Sequence, residues 1–189
     1  MSDELIIRHC APTFAGIKTA NMFTVDLENG KTVNDEIRAL NVMLRGKGLR
    51  VIPLKETDSY ALIYIYRPDY LRKDLEDPKA KGILCEKGYD CINPEYCIAQ
   101  LIERLKKNDG FPHEVGLFLG YPPGDVEGFI KDPSSGVKCC GCWKVYSDKD
   151  AAIRKFKRFD KCTKIYCDMN KKGKTLLQLA VNKLKNATA

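Results

Sequence analysis

Few residue types in this chain can do chemistry. It holds two histidines, His9 and His113, and nine cysteines. A neutral imidazole can serve as base, proton shuttle or metal ligand near pH 7. Cys10 adjoins one histidine and Glu114 the other. One reading is a thiol nucleophile, Cys10, activated by His113. It requires the two segments to meet in space. Adjacency within a segment does not bring side chains together, because neighbours in a strand point to opposite faces. The competing reading makes His113, directly after Pro112, a capping or structural residue.

A second grouping is Cys139-Cys140-Gly141-Cys142. Cys139 and Cys142 form a C-x-x-C pair, which can be a redox dithiol or half of a metal site. His9 is a further candidate for that redox or metal role. Cys162 and Cys167 lie further along in a layout resembling a zinc ribbon. Five residues apart on a helix, however, their directions differ by roughly 140°. Cys85, Cys91 and Cys97 recur every six residues. No metal motif has that spacing, so they read as small buried hydrophobes. Lys18 and Lys144 are candidates for binding an anion near His9. Gly173-Lys174-Thr175 looks like the end of a phosphate-binding loop, but that motif needs glycine where Asp168 stands.

These residues must be positioned by a globular chain. Of the 189 residues, 44% are hydrophobic and 30% charged, which excludes disorder, collagen and coiled-coil rods. No run approaches the roughly 18–20 apolar residues of a membrane span. The start, Met1-Ser2-Asp3-Glu4-Leu5, is acidic and lacks a basic, then apolar, leader, so cytoplasm is the expected compartment. There the cysteines stay thiols, a load that suits the reducing cell of an anaerobe. The net charge is +7, but from Arg154 to Lys185 eleven lysines and arginines face two aspartates. A basic end of this kind can meet an acidic protein or nucleic acid. No nucleic-acid motif accompanies it, and its aromatic residues sit at helical core spacing.

Element signals follow. Leu5–Cys10 reads as a short helix or strand that Pro12 keeps from continuing. Thr32–Glu36 opens a helix that Gly46 and Gly48 stop. Arg50–Glu56 and Tyr60–Arg67 read as a hairpin around Thr57-Asp58-Ser59, the second run being a central strand. Asn93 and Pro94 cap a helix striped by Cys97, Ile98, Leu101, Ile102 and Leu105. Pro112 and His113 open a short helix, Asp125–Ile130 a further turn or two, and Trp143–Tyr146 a strand. Asp148 caps a helix with Ala152, Phe156, Phe159, Thr163, Tyr166 and Asn170 on one face. Leu176, Leu177, Ala180 and Leu184 stripe a final helix. Without βαβ alternation, the expected class is α+β: a small, mostly antiparallel sheet packed by several helices. The expected organisation is a single domain, 1–189, with 148–186 a basic helical pair packed on it.

Three segments carry a resemblance. They are His9-Cys10-Ala11-Pro12-Thr13 with Gly16 and Lys18; Phe111 through Pro123, then Asp125-Val126 and Gly128-Phe129; and Trp143-Lys144-Val145-Tyr146 with Phe159 and Cys162. Together they resemble a bacterial domain-of-unknown-function family, number 3793, found mainly in anaerobic Gram-positive bacteria. The resemblance spans nearly the whole chain. It implies one cytosolic domain, no particular activity, and a genomic neighbourhood near flavodoxins. The cysteines around Cys139 and the long basic end depart from the family pattern.

The leading expectation is therefore a cytosolic thiol or redox-linked protein of an anaerobe, handling a metal or cofactor through Cys139 and Cys142. A non-catalytic binding module for an acidic partner, such as a flavodoxin, is the second. A cysteine-dependent hydrolase or transferase using Cys10 and His113 is the third.

Overall fold

A computed structural model describes residues 1–27, 32–107 and 110–182. The fold is α+β, and its contacts divide into two compact units where the sequence suggested no boundary. The first comprises Met1–Asp69 and Lys161–Ala189, the second Tyr70–Asp160.

The first unit holds the larger sheet. Helix α1, Asp3–Phe14, is capped by Ser2, whose hydroxyl accepts from Leu5 N at 3.2 Å. It continues through Pro12, against the sequence expectation. The proline lies in the last turn, so only one ladder bond is lost there. Its carbonyl then accepts from Ile17 N at 3.0 Å and Lys18 N at 3.2 Å, which closes the turn into the next strand. Strand β1 is Ala20–Asp26, a segment without a sequence signal. Helix α2, Asn34–Leu44, ends in a 3-10 turn and Gly48, whose φ of 70° suits a residue without Cβ.

Strands β2, Arg50–Glu56, and β3, Tyr60–Tyr66, form the expected hairpin. The sheet order is β1-β3-β2, antiparallel throughout. The near-continuous apolar run Ala61–Tyr66 takes the central place because that strand is covered most completely. Pro53 lies on the outer strand β2, where a missing N–H is tolerated, and the register shifts between Pro53 and Lys55. Ile6, Ile7, Cys10, Phe14, Phe23, Ile63 and Ile65 pack in one core with Leu176 and Leu179.

The second unit is mostly helical. It contains most of α3, Pro68–Glu76, together with α4, Pro78–Glu86, α5, Pro94–Lys106, α6, Val115–Phe118, and α7, Pro123–Lys131. Asp77 and Asn93 cap α4 and α5 just before a first-turn proline, which needs no N–H partner. The loop after α5, with Asn108 and Asp109 as its expected stop, lies partly outside the described residues. A two-stranded hairpin follows, β4, Cys139–Cys140, against β5, Lys144–Val145.

Helix α8, Lys149–Lys171, contributes residues to both units. Asp148 caps it, accepting from Ala151 N at 2.9 Å. Ala152 and Phe159 are buried on the predicted face. The final helix is shorter than its stripe implies. Helix α9, Leu176–Leu179, is one turn closed by a capping box between Thr175 and Gln178. Leu177 is exposed, and Leu184 lies outside the described residues. The chain leaves the helix at Ala180 because Val181 N instead bonds Phe14 O, at 3.0 Å.

Candidate functional site

Two exposed cysteines, Cys140 and Cys142, lie on the β4–β5 hairpin. Cys139 pairs with Val145 and Cys140 with Lys144. Alternation puts Cys139 on the face of the buried Val145, so it is half-buried, while Cys140 is exposed with Lys144. Cys142 is exposed in the connecting turn.

Five contacts fix that turn. The Tyr121 hydroxyl donates to Cys142 O at 3.1 Å. Burial, with Cys142 beside it, pushes Tyr121 up to about 12, so the phenol remains a donor at neutral pH. Gly141 lies against Phe156 so closely that a Cβ there would meet the ring at 2.3 Å. Trp143 stacks on Tyr121 with ring centres 4.8 Å apart and meets Phe156 edge-on at 4.5 Å. Its indole N–H donates to Asp125 Oδ2 at 2.7 Å.

Asp125 is the hub. It is 2% exposed, in the first turn of α7. Its Oδ1 accepts from Tyr146 N at 2.9 Å, Ser147 N at 2.7 Å and the Ser147 hydroxyl at 2.7 Å. Burial acts to raise the carboxyl's pKa, but the hydrogen bonds from Ser147, Tyr146 and Trp143 outweigh it and hold the group below its ordinary value. The hub thus ties α7 to β5 and to the residues entering α8. Sequence reasoning passed over Asp125. The signal was the single tryptophan, because a buried indole N–H needs an acceptor.

His113 is exposed and belongs to the same unit. It meets Phe129 edge-on at 4.9 Å between ring centres, and Lys144 Nζ lies 5.6 Å from that ring. Lys144 also donates to Pro133 O at 2.9 Å. His113, Glu114 and Arg104 line a groove of about 940 Å³. Glu114 is 4% exposed and accepts from the Tyr89 hydroxyl at 2.9 Å, with Arg104 Nη1 at 3.9 Å. Arg104 lies over the Tyr89 ring, 4.4 Å from its centre. Burial and the Glu114 charge push the Tyr89 phenol far up, so it stays a donor. Neither Tyr89 nor Arg104 carries a motif that would have marked it.

The other sequence candidates lie in the first unit. His9 is exposed, stacked on Phe23 at 5.2 Å, and burial followed by the Arg8 charge lowers its pKa. Cys10 is fully buried in the core. Burial pushes its thiol well above the ordinary range, and the Lys18 charge only partly offsets this. Those are the surroundings of a packing thiol, which a substrate cannot reach, and they weigh against Cys10 as a nucleophile. Lys18 is buried in the first unit and Lys144 exposed in the second. Cys162 and Cys167 pack against the first unit's core from α8. Among the described residues, no group of three or more His, Cys, Asp or Glu side chains is placed to hold a metal ion. Nor is any helix among them long and apolar enough to cross a membrane.

A family model described as "Protein of unknown function (DUF3793)" matches residues 6–180. No curated protein and no solved structure matches the chain.

Proposed function

The chain belongs to the DUF3793 family, and we propose that it acts as a thiol redox protein whose working group is the Cys139/Cys142 pair. In the working step the two thiols give up two protons and two electrons to a disulfide of a partner, which leaves as two thiols. The observation that carries this reading is the exposed turn between β4 and β5, presented on a buried Asp125–Trp143 anchor. An anchored turn keeps its sulfurs at the surface without surrendering them to the core. The exposure of Cys140 and Cys142 supports access by a macromolecular partner.

The test is a redox titration of protein purified without oxygen, with thiols trapped by alkylation and mapped by mass spectrometry. Cys139 and Cys142 are expected to interconvert as one two-electron pair. Cys139→Ser or Cys142→Ser abolishes the couple. Metal analysis of the same sample supplies the contrary outcome: a stoichiometric metal lost on either substitution replaces the redox reading with a metal-handling one. Two thiols that remain alkylatable across the whole titration overturn both.

A second reading rests on α8. Arg154, Lys155, Lys157, Arg158, Lys161 and Lys164 are all exposed along it. This basic face suits an acidic protein partner such as a flavodoxin, and the two readings are compatible. Its affinity is expected to fall steeply with ionic strength, since exposed charges are screened within about 10 Å at 0.1 M salt. Salt-insensitive binding removes its electrostatic basis.

A further inference from the structure

The six-residue recurrence of Cys85, Cys91 and Cys97 reads as incidental in the sequence, but the fold brings these residues together. Cys85 sits in the last turn of α4 and is exposed. Gly88, at a φ of 76°, then reverses the chain, with Gly88 N bonding Cys85 O at 2.8 Å and Tyr89 N bonding Leu84 O at 2.9 Å. This is the glycine-terminated helix end that satisfies the last carbonyls. It returns Cys91 onto Cys85, and their sulfurs lie 3.7 Å apart. Cys97, buried on α5, stands behind them and donates to Asp90 O at 3.7 Å. Asp90 N in turn bonds the Gln100 side chain at 2.8 Å, which pins the loop to α5. Cys91 and Cys97 line a recess of about 250 Å³ with Arg72 and Leu75.

We propose that Cys85 and Cys91 form a second redox pair, closed by exchange with a small-molecule disulfide that reaches Cys85 first. The exposed Cys85 thiolate attacks one sulfur of that disulfide and releases the first small thiol. Cys91 then loses its proton and attacks the Cys85 sulfur, releasing the second. Two protein thiols and one small disulfide become one protein disulfide and two small thiols. From 3.7 Å the sulfurs need to close by only about 1.7 Å to reach a normal S–S bond. Burial, followed by the neighbouring thiols, pushes Cys91 up to about 12, which assigns it the second, proximity-driven attack. Closure also ends the Cys91 thiol's contact with Tyr89 O, now 3.8 Å. Oxidation would therefore be felt at the residue that hydrogen-bonds Glu114.

The test uses the full chain carrying Cys139→Ser and Cys142→Ser, so its result is independent of the hairpin reading. Anaerobic protein is exposed to excess oxidised glutathione, alkylated and mapped. The expected product is an intramolecular Cys85–Cys91 link with loss of both free thiols. Adding Cys91→Ser stops the reaction at a glutathione adduct on Cys85. Adding Cys85→Ser leaves Cys91 free of adduct. The native chain is mapped in parallel, so a poorly folded variant does not decide the matter. The proposal fails if Cys85 stops at the glutathione adduct while Cys91 is present. It also fails if both thiols stay alkylatable in the folded chain yet oxidise after unfolding in urea.

Discussion

Each unit has a buried charge that gathers four hydrogen bonds, Arg67 in the first and Asp125 in the second, and these two charges have opposite sign. In the first, the Arg67 guanidinium, 4% exposed, donates to Thr13 O at 2.7 Å, Phe14 O at 2.8 Å, Val181 O at 2.9 Å and Lys47 O at 3.2 Å. In the second, the Asp125 carboxylate collects two backbone N–H groups, a hydroxyl and an indole. The cation gathers carbonyls from chain segments far apart in sequence, including the buried C-terminal end of α1. It therefore closes a core. The anion gathers donors from one short stretch, Trp143–Ser147, and therefore fixes a surface hairpin. The Cys10–Thr13 stretch is accordingly part of the packed interior, whereas the segments around Asp125 and Trp143 hold the Cys140 and Cys142 thiols at the surface.

The largest expected effect is on the cation. Replacing Arg67 with Met keeps much of the volume but strands several buried carbonyls. Losing one side of a buried charged network is expected to remove about 3–5 kcal/mol of stability. Urea unfolding followed by circular dichroism measures it. Arg67→Lys should recover only part of the loss, because an ammonium cannot reproduce the planar fork. A smaller loss for Arg67→Met than for Asp125 variants would reverse the order argued here.

Next comes the anion. Asp125→Ala leaves buried donors unpaired and should cost about 2–3 kcal/mol. Its effect is also pH-dependent. The folded carboxyl titrates below its ordinary 3.8, so its stabilisation is complete above that value and is lost as pH falls through the folded value. The parent chain should therefore weaken below about pH 4, and Asp125→Asn should lack that component. An acid unfolding series on both proteins decides it. Coincident curves below pH 4 would remove Asp125 from its role.

Third is the turn. In Gly141→Ala the new methyl would meet the Phe156 ring, and overpacking of this kind costs about 1–3 kcal/mol. The loss should be local. Alkylation of Cys142 should quicken, while that of the exposed Cys85 on α4 stays unchanged. Pairing the change with Phe156→Leu should restore part of the original rate. An unchanged Cys142 rate would show that the turn is not held by this contact.

The two regions also differ in how far the sequence disclosed them. Local signals were enough for the β2–β3 hairpin, the Asn93 and Asp148 caps and the apolar face of α8, because periodicity and capping act within a few residues. They failed at Pro12, where bonds from Ile17 and Lys18 outweigh the proline's penalty. They failed at β1 as well, whose partner β3 lies some forty residues away. The exposed Cys142 was legible because a C-x-x-C pair is a local pattern. The hub beneath it was not, because Asp125 meets Trp143 and Ser147 only through the fold. Nor was the Cys85–Cys91 contact legible, since it depends on the reversal at Gly88 rather than on spacing.

The smallest effect separates a hub from its spokes. Ser147→Ala removes the hydroxyl that reaches Asp125 Oδ1 at 2.7 Å but leaves both backbone amides and the indole in place. A single hydrogen bond to a charged acceptor at a half-open position should be worth about 1 kcal/mol. With one lowering interaction gone, the Asp125 pKa rises toward 3.8, and the acid-induced loss of stability begins at higher pH than in the parent. The shift can be followed through Trp143 fluorescence, since the indole shares the same carboxylate. If the acid transition does not move although stability falls, the serine only packs against Asp125 and contributes nothing to holding it ionised. The hub would then rest on the backbone amides and the tryptophan alone.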